Sequence, residues 1–248
     1  MIFHLKQIDM NTKSIASLLA IFALVFTGSM VTAQKTETRT IGSFESISLS
    51  IQAKVFITQE NSTSVKIKGD ADDLEEIITE VEDGTLKIKR KKNKSWGWNS
   101  SFKNIEVYIS SSQIKNISVS GSGTIQAKST IETDDAKYVI SGSGNIFIED
   151  LVATNAACHI SGSGDIHLKG ELIEALEIHI SGSGNVDAGY LKTENVDVHV
   201  SGSGNSKVYV TKKLTARVAG SGDIYYRGKP DSIDSKSAGS GSIKSIGM

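Results

Sequence analysis

A Gly-Ser-Gly core returns through the C-terminal half of this 248-residue chain, beginning at Gly121, Gly142, Gly162, Gly182, Gly202, Gly220 and Gly239. The steps are 21, 20, 20, 20, 18 and 19 residues. A period near 20 residues excludes most folds, because it makes each unit one coil that buries its apolar face only by stacking on its neighbours. The flanks keep one frame. Ile140-Ser141-Gly142-Ser143-Gly144-Asn145-Ile146-Phe147-Ile148 is repeated as Ile160-Ser161-Gly162-Ser163-Gly164-Asp165-Ile166-His167-Leu168. Ile180 with Val186, Val218 with Ile224, and Val200 with Val208 after a local shift continue it. A second apolar position recurs at Leu151, Leu172 and Leu191, so each unit holds at least two strands.

Two architectures suit such a unit, a parallel β-helix with one coil per repeat or an antiparallel meander of hairpins. Two-residue hairpin loops favour Asn-Gly or Asp-Gly, whereas here Asn or Asp follows the second glycine. Glycine at one fixed place is what a stacked corner requires, since a Cβ would crowd the coils above and below. The sequence therefore predicts an all-β parallel β-helix, about 20 residues per coil, with structural corners at Gly142, Gly144, Gly162, Gly164, Gly182, Gly184, Gly202 and Gly204. Glycine (23 residues) against a single proline, Pro230, means regular bends rather than disorder.

The remainder of the chain reads as a leader and an irregular first part. Lys6 and Lys13 precede a 12-residue run from Ile15 to Phe26, and Val31-Thr32-Ala33 before Gln34 has the small-residue character of a signal-peptidase site. The run is shorter than the ~20 apolar residues that cross a bilayer. Residues 1–33 are thus expected to be a signal peptide and 34–248 one exported domain, with 41–112 irregular and 113–248 carrying the repeats. The destination is periplasm, outer cell surface or medium. No cysteine stands just after the apolar run, which argues against a lipoprotein anchor; Cys158 is the sole cysteine, so no internal disulfide forms. Within 41–69 the pattern alternates as strands do. Asp70 to Val81 breaks the rhythm, and Asp72 or Asp73 is expected to cap a short helix whose apolar side is Leu74, Ile77, Ile78 and Val81. Asp83-Gly84 turns the chain into the strand Leu86 to Arg90.

The strand order, the short acidic helix, Asp-Gly-Thr-Leu-Lys-Ile at 83–88, the serial Ser-Gly-Ser-Gly-Asn/Asp units and Gly222-Asp223-Ile224-Tyr225-Tyr226-Arg227-Gly228-Lys229-Pro230 together resemble the head GIN domain family. The resemblance spans about 41–245 and implies a right-handed parallel β-helix in an exported, adhesin-like protein of a kind common in Bacteroidetes. It brings no catalytic residues and no cofactor.

Stacking turns sequence positions into columns, where any chemistry would have to be built. His159, His179 and His199 stand 20 apart, two residues before each serine, and alternation directs them outward. Three stacked imidazoles could share a transition metal; a solvent-facing ladder is the simpler reading. Thr124, Asn145, Asp165, Asn185, Asn205, Asp223 and Ser242 form a corner column in which stacked side chains hydrogen-bond, with calcium as the alternative. Cys158 next to His159 is not a nucleophile and base, because neighbours on a strand face opposite sides. The pairs Asp134/Asp135 and Glu149/Asp150 fail as glycosidase carboxylates for the same reason. Both tryptophans, Trp96 and Trp98, lie among Lys92 and Lys94 in a predicted loop, a composition that suits glycans or lipid headgroups.

A formal net charge of −1 leaves no basic footprint for nucleic acid. The expected function is a non-enzymatic binding or cell-envelope module that contacts a glycan, an envelope component or another protein, without being an integral membrane protein. A β-helix carbohydrate-active enzyme and a self-assembling structural protein are the competing classes.

Overall fold

The computed structural model describes residues 34–91, 102 and 104–247. The expected signal segment 1–33, together with Lys92, Lys94, Trp96 and Trp98, lies outside the described residues. The first part of the chain contributes β1 (Lys35–Arg39), β2 (Ser46–Leu49), β3 (Lys54–Gln59), β4 (Ser64–Gly69), helix α1 (Ala71–Glu75), β5 (Ile77–Glu82), β6 (Thr85–Arg90) and β7 (Glu106–Ser111). The repeats contribute β8 (Asn116–Gly121), β9 (Thr124–Ala127), β10 (Ile131–Gly142), β11 (Asn145–Gly162), β12 (Asp165–Gly182), β13 (Asn185–Gly202), β14 (Ser206–Gly220), β15 (Ile224–Arg227), β16 (Ser232–Gly239) and β17 (Ile243–Ser245).

The repeat strands stack in parallel and in register, one coil on the next, in a β-solenoid of about 6 turns. Ile140 faces Ile160, Ile160 faces Ile180, and Ile180 faces Val200, so like lies on like at the ~4.8 Å spacing of paired strands. Period-2 alternation sends one set of side chains inward. Ile146, Ile148, Leu151, Cys158, Ile160, Ile166 and Ile178 are all buried and form one continuous core. Burying each aliphatic side chain contributes about 1.5–3 kcal/mol, but only when a coil lies above and below it.

The two glycines of each corner serve different ends. Gly142, at φ +140°, occupies the left-handed region that side chains avoid. Gly144 has ordinary φ, yet a Cβ there would stand 2.6 Å from the carbonyl oxygen of Gly123 in the coil beneath. The corner is closed by hydrogen bonds between coils, such as Ser163 N to Gly142 O and Ser183 N to Gly162 O, each 2.8 Å.

Four local expectations are corrected by the pairing. The helix ends at Glu75; Ile77–Glu82 is a strand, antiparallel to β6 across the Asp83-Gly84 turn. The β-branched residues Thr79 and Val81 find Ile88 and Leu86 as cross-strand partners, which outweighs the local helical spacing. The cap position is Asp70, not Asp72 or Asp73, and it makes no side-chain cap bond. Leu172 is exposed and Ile173 is buried in its stead, because β12 slips register between Gly170 and Ile173. From Val200 to Val208 the frame does not shift: Val208 faces Ala188, Ser206 fills the inner place held elsewhere by Val186 and Ile224, and the slip against β13 comes only after Val208.

The described residues of 41–112 are irregular in sequence but ordered in pairing. β2 runs parallel to β8 and β6, while β3 runs parallel to β9 and β7, which extends the stack toward the N-terminus. At this end β1 and β4 pair antiparallel, Leu74 of α1 is buried, and Arg39 Nη2 donates to Leu74 O at 2.9 Å. At the opposite end β16 is exposed along its whole length.

Candidate functional site

The last straight run of β11, β12 and β13 places four outward rows side by side. Asp135, Asn155, Ala175, Asn195 and Lys213 form the first; Lys137, Ala157, Glu177, Asp197 and Thr215 the second. Val139, His159, His179, His199 and Arg217 form the third, and Ser141, Ser161, Ser181, Ser201 and Ala219 the fourth. The rows arise locally, since side chains two apart on a strand share a face and in-register stacking repeats that choice in each coil.

The histidines are brought together as expected. Ring centroids of His159 and His179 are 5.3 Å apart, and those of His179 and His199 are 5.0 Å apart, with planes within 11° of parallel. His179 Nε2 lies 2.6 Å from Glu177 Oε1. His199 Nδ1 lies 3.1 Å from Asp197 Oδ1 but without the alignment of a hydrogen bond. Burial, followed by the neighbouring His179 and Lys137, holds His159 below the ordinary histidine value. Parallel stacking keeps ring nitrogens of adjacent coils from converging on one point. Among the described residues no group of three or more His, Cys, Asp and Glu side chains is placed to hold a metal ion.

Glu177 and Asp197 were missed in the sequence reading, although their place two residues before His179 and His199 is a legible signal of a shared face. With Asp135, Asn155, Asn195 and Lys213 they line a groove of about 540 Å³. A smaller groove of about 220 Å³ runs between the imidazoles and Ser161, Ser181 and Ser201. The face therefore offers acceptors, donors and ring edges repeated at each coil.

Other candidate positions are taken up by structure. The corner column is a hydrogen-bonded ladder: Asn185 Nδ2 donates to Asp165 Oδ1 at 2.8 Å, and Asn205 Nδ2 donates to Asn185 Oδ1 at 3.1 Å. Backbone amides of Asn185, Asn205 and Asp223 donate to the side chain one coil below, each at 3.0 Å. Glu149 pairs with Lys169 at 2.6 Å, Asp135 accepts from Asn155 at 2.8 Å, and Asp150 accepts from Thr130. Cys158 and Tyr138 are neighbours in an inner column, and burial pushes both the thiol and the phenol well up. A thiol so held stays neutral and inert. Trp96, Trp98, Lys92 and Lys94 lie outside the described residues.

A rigid stack that presents side chains in flat rows defines a repeat scaffold of adhesin-like type. The chain belongs to the family described as "Putative auto-transporter adhesin, head GIN domain", which matches residues 43–230. It is similar to the crystal structure of a "putative adhesin" of Bacteroides fragilis, with 27% identity and a TM-score of 0.81 over 86% of this chain and 97% of that one. A "putative lipid binding protein" of Parabacteroides distasonis shares 25% identity at a TM-score of 0.72, over 86% and 96% of the two chains. A "putative adhesin" of Parabacteroides merdae, 22% identical at a TM-score of 0.68 over 86% and 96%, shares the fold. No curated protein matches the sequence. Among the described residues no helix is long and apolar enough to cross a membrane.

Proposed function

We propose that the protein is exported and acts as a non-enzymatic, adhesin-like module of the cell envelope that binds glycan. The observation that carries this reading is the set of four outward rows on β11, β12 and β13, whose grooves repeat a hydroxyl and an imidazole once per coil and add the carboxylates of Glu177 and Asp197 on β12 and β13. An extended polymer of sugars meets such a surface repeatedly, and several weak contacts on one rigid support add up to useful avidity. Lys92, Lys94, Trp96 and Trp98 supply a further contact through aromatic and cationic side chains. The family and the similar solved structures support an adhesive rather than a catalytic role. Export rests on the basic, apolar and small-residue order of residues 1–33.

The test is binding of the purified protein to a glycan array and to isolated envelope polysaccharide, beside Glu177→Gln/Asp197→Asn and Trp96→Ala/Trp98→Ala variants. Binding by wild type that weakens in either variant is expected; no binding of wild type to any glycan or envelope fraction refutes the reading. Sequencing the N-terminus of the exported protein should begin near Gln34. A second reading, self-association, is favoured by β16, whose full-length exposure offers an open strand edge. Sedimentation over a range of concentrations separates the two, since a strictly monomeric protein excludes assembly.

A further inference from the structure

A second surface, remote in sequence from the histidine rows, is built where the N-terminal strands join the stack. β9, β3, β7 and β4 are successive neighbours in one sheet. Their register places Gln126, Phe56, Tyr108 and Lys66 in one outward row. Thr58, Ser110 and Ser64 form the adjacent row, and Lys128 follows from the end of β9. Together they line an open cleft of about 390 Å³.

The cleft combines a ring platform, a hydroxyl floor and flanking cations. Phe56 and Tyr108 have ring centroids 5.3 Å apart with planes tilted by 32°. Tyr108 is 42% exposed, so a large part of its ring faces solvent beside Phe56. Its hydroxyl is already committed, donating to Glu106 Oε2 at 2.8 Å, while Lys68 holds the same oxygen at 3.3 Å. Those hydrogen bonds keep the Glu106 carboxyl below the usual range, with the Tyr108 bond first and that of Lys68 second. The ring is thus pinned at its tip and its surface stays available. Beside it, Ser64 Oγ and Ser110 Oγ are 3.0 Å apart, and Ser62 Oγ is 3.3 Å from Ser110 Oγ. Lys128 Nζ sits 4.8 Å from the Phe56 centroid. Lys66 has no ion-pair partner among the described residues, and Glu60 is the only acid lining the cleft.

We infer that this cleft binds a short acidic saccharide of uronate type, an inference that rests on the glycan-binding reading above. Sugar rings present C–H faces that pack on aromatic rings, and their hydroxyls exchange hydrogen bonds with serine and threonine. Their carboxylates pair with ammonium groups. Lys128 and Lys66 stand on strands three positions apart, roughly 14 Å at strand spacing, which is the span of a few linked sugars. Charge complementarity selects an anionic ligand, with two cations set against the single Glu60. An acyl chain is disfavoured because the cleft is open to water and would leave much of the chain unburied.

The experiment titrates trigalacturonic acid, and maltotriose as the uncharged comparison, into the purified protein by calorimetry at low and high salt. Wild type is expected to bind trigalacturonic acid, to bind it more weakly in salt, and to bind maltotriose at least about tenfold less well. Tyr108→Ala should lose at least about tenfold, while Tyr108→Phe, which keeps the ring and drops only the bond to Glu106, should stay within about twofold. Lys66→Ala should weaken binding several-fold and flatten the salt dependence. Leu172→Ala, an exposed change on β12 outside both binding surfaces, should match wild type, and urea midpoints identify any variant that has lost its fold. Equal binding of both trisaccharides overturns the acidic specificity. Binding that survives Tyr108→Ala and Lys66→Ala overturns the cleft and leaves the glycan-binding reading standing. Glycan-array binding without trigalacturonic acid binding also refutes the cleft, and absence of both refutes the two readings together.

Discussion

Replacing Gly144 by alanine isolates the stacking contact that holds the coils together. The added Cβ would lie 2.6 Å from Gly123 O and also against Val119 Cγ1, with no positive φ to confuse the cause. Ordinary contact needs roughly 3.4 Å, so the two coils must part by about 0.8 Å at this corner. The same oxygen accepts from Asn145 N at 2.9 Å, and Ser143 N donates to Gly121 O at 2.8 Å. Both bonds would stretch beyond about 3.5 Å and be lost, at about 1 kcal/mol each. Strain and disturbed packing at Val119 add about 1–2 kcal/mol. The expected cost is about 3–4 kcal/mol, which at a urea m-value of about 3 kcal/mol/M lowers the midpoint by about 1 M. Two further alanines separate the causes. Gly121 has φ +121° but nothing within 4 Å of its would-be Cβ, so Gly121→Ala carries only the backbone cost of about 1–2 kcal/mol. Gly42 has neither constraint, and Gly42→Ala should be neutral or slightly stabilising. The order Gly144, Gly121, Gly42 in urea midpoints is the outcome expected. If Gly144→Ala unfolds with Gly42→Ala, close stacking is not what requires the second glycine of the corner.

Three other outcomes follow from buried and stacked polar groups. The Tyr138 hydroxyl and Ser206 Oγ are buried without hydrogen-bond partners, so Tyr138→Phe and Ser206→Ala should each leave thermal stability unchanged or raise it by about 1 kcal/mol. A loss above that size in either would mean that the hydroxyl has a partner. Asn185→Ala removes a donor to Asp165 and the acceptor of two bonds from Asn205, and should cost about 2–3 kcal/mol in urea denaturation, with calcium leaving the wild-type midpoint unmoved. His159 is held below its ordinary value of 6.5, so the unfolded chain binds that proton more tightly than the folded one. The stability it contributes is complete above that pH and is lost as pH falls through the folded value. The urea midpoint of wild type should therefore drop between about pH 7.5 and about pH 5.5 by more than that of His159→Gln; equal drops would assign the loss to other groups.

The histidine rows were legible in sequence because every step toward them is local. Strand alternation fixes the side on which His159, His179 and His199 emerge, and the repeat supplies the neighbour one coil away. The same reasoning reaches Glu177 and Asp197 once residues two before each histidine are followed. Leu172 defeated it, since a single register slip turned Ile173 inward and sent Leu172 to solvent. At Ile77–Glu82 the local pattern allowed a helix, and only the presence of Leu86 and Ile88 across the turn made a strand the better choice.

The sequence alone thus determined the coil length, the glycine corner, the Asn/Asp ladder and the inward and outward sides, all consequences of a short-range pattern repeated at a fixed interval. The tertiary structure decided where that pattern ceases to be the cause. β2 and β3 join the stack without the Gly-Ser-Gly phrase, and the cleft around Phe56 and Tyr108 unites side chains from four strands spread over residues 54–128. No periodicity links those positions. Their proximity arises from hydrogen-bonded pairing between distant segments, and pairing of that kind is settled only when the whole sheet forms.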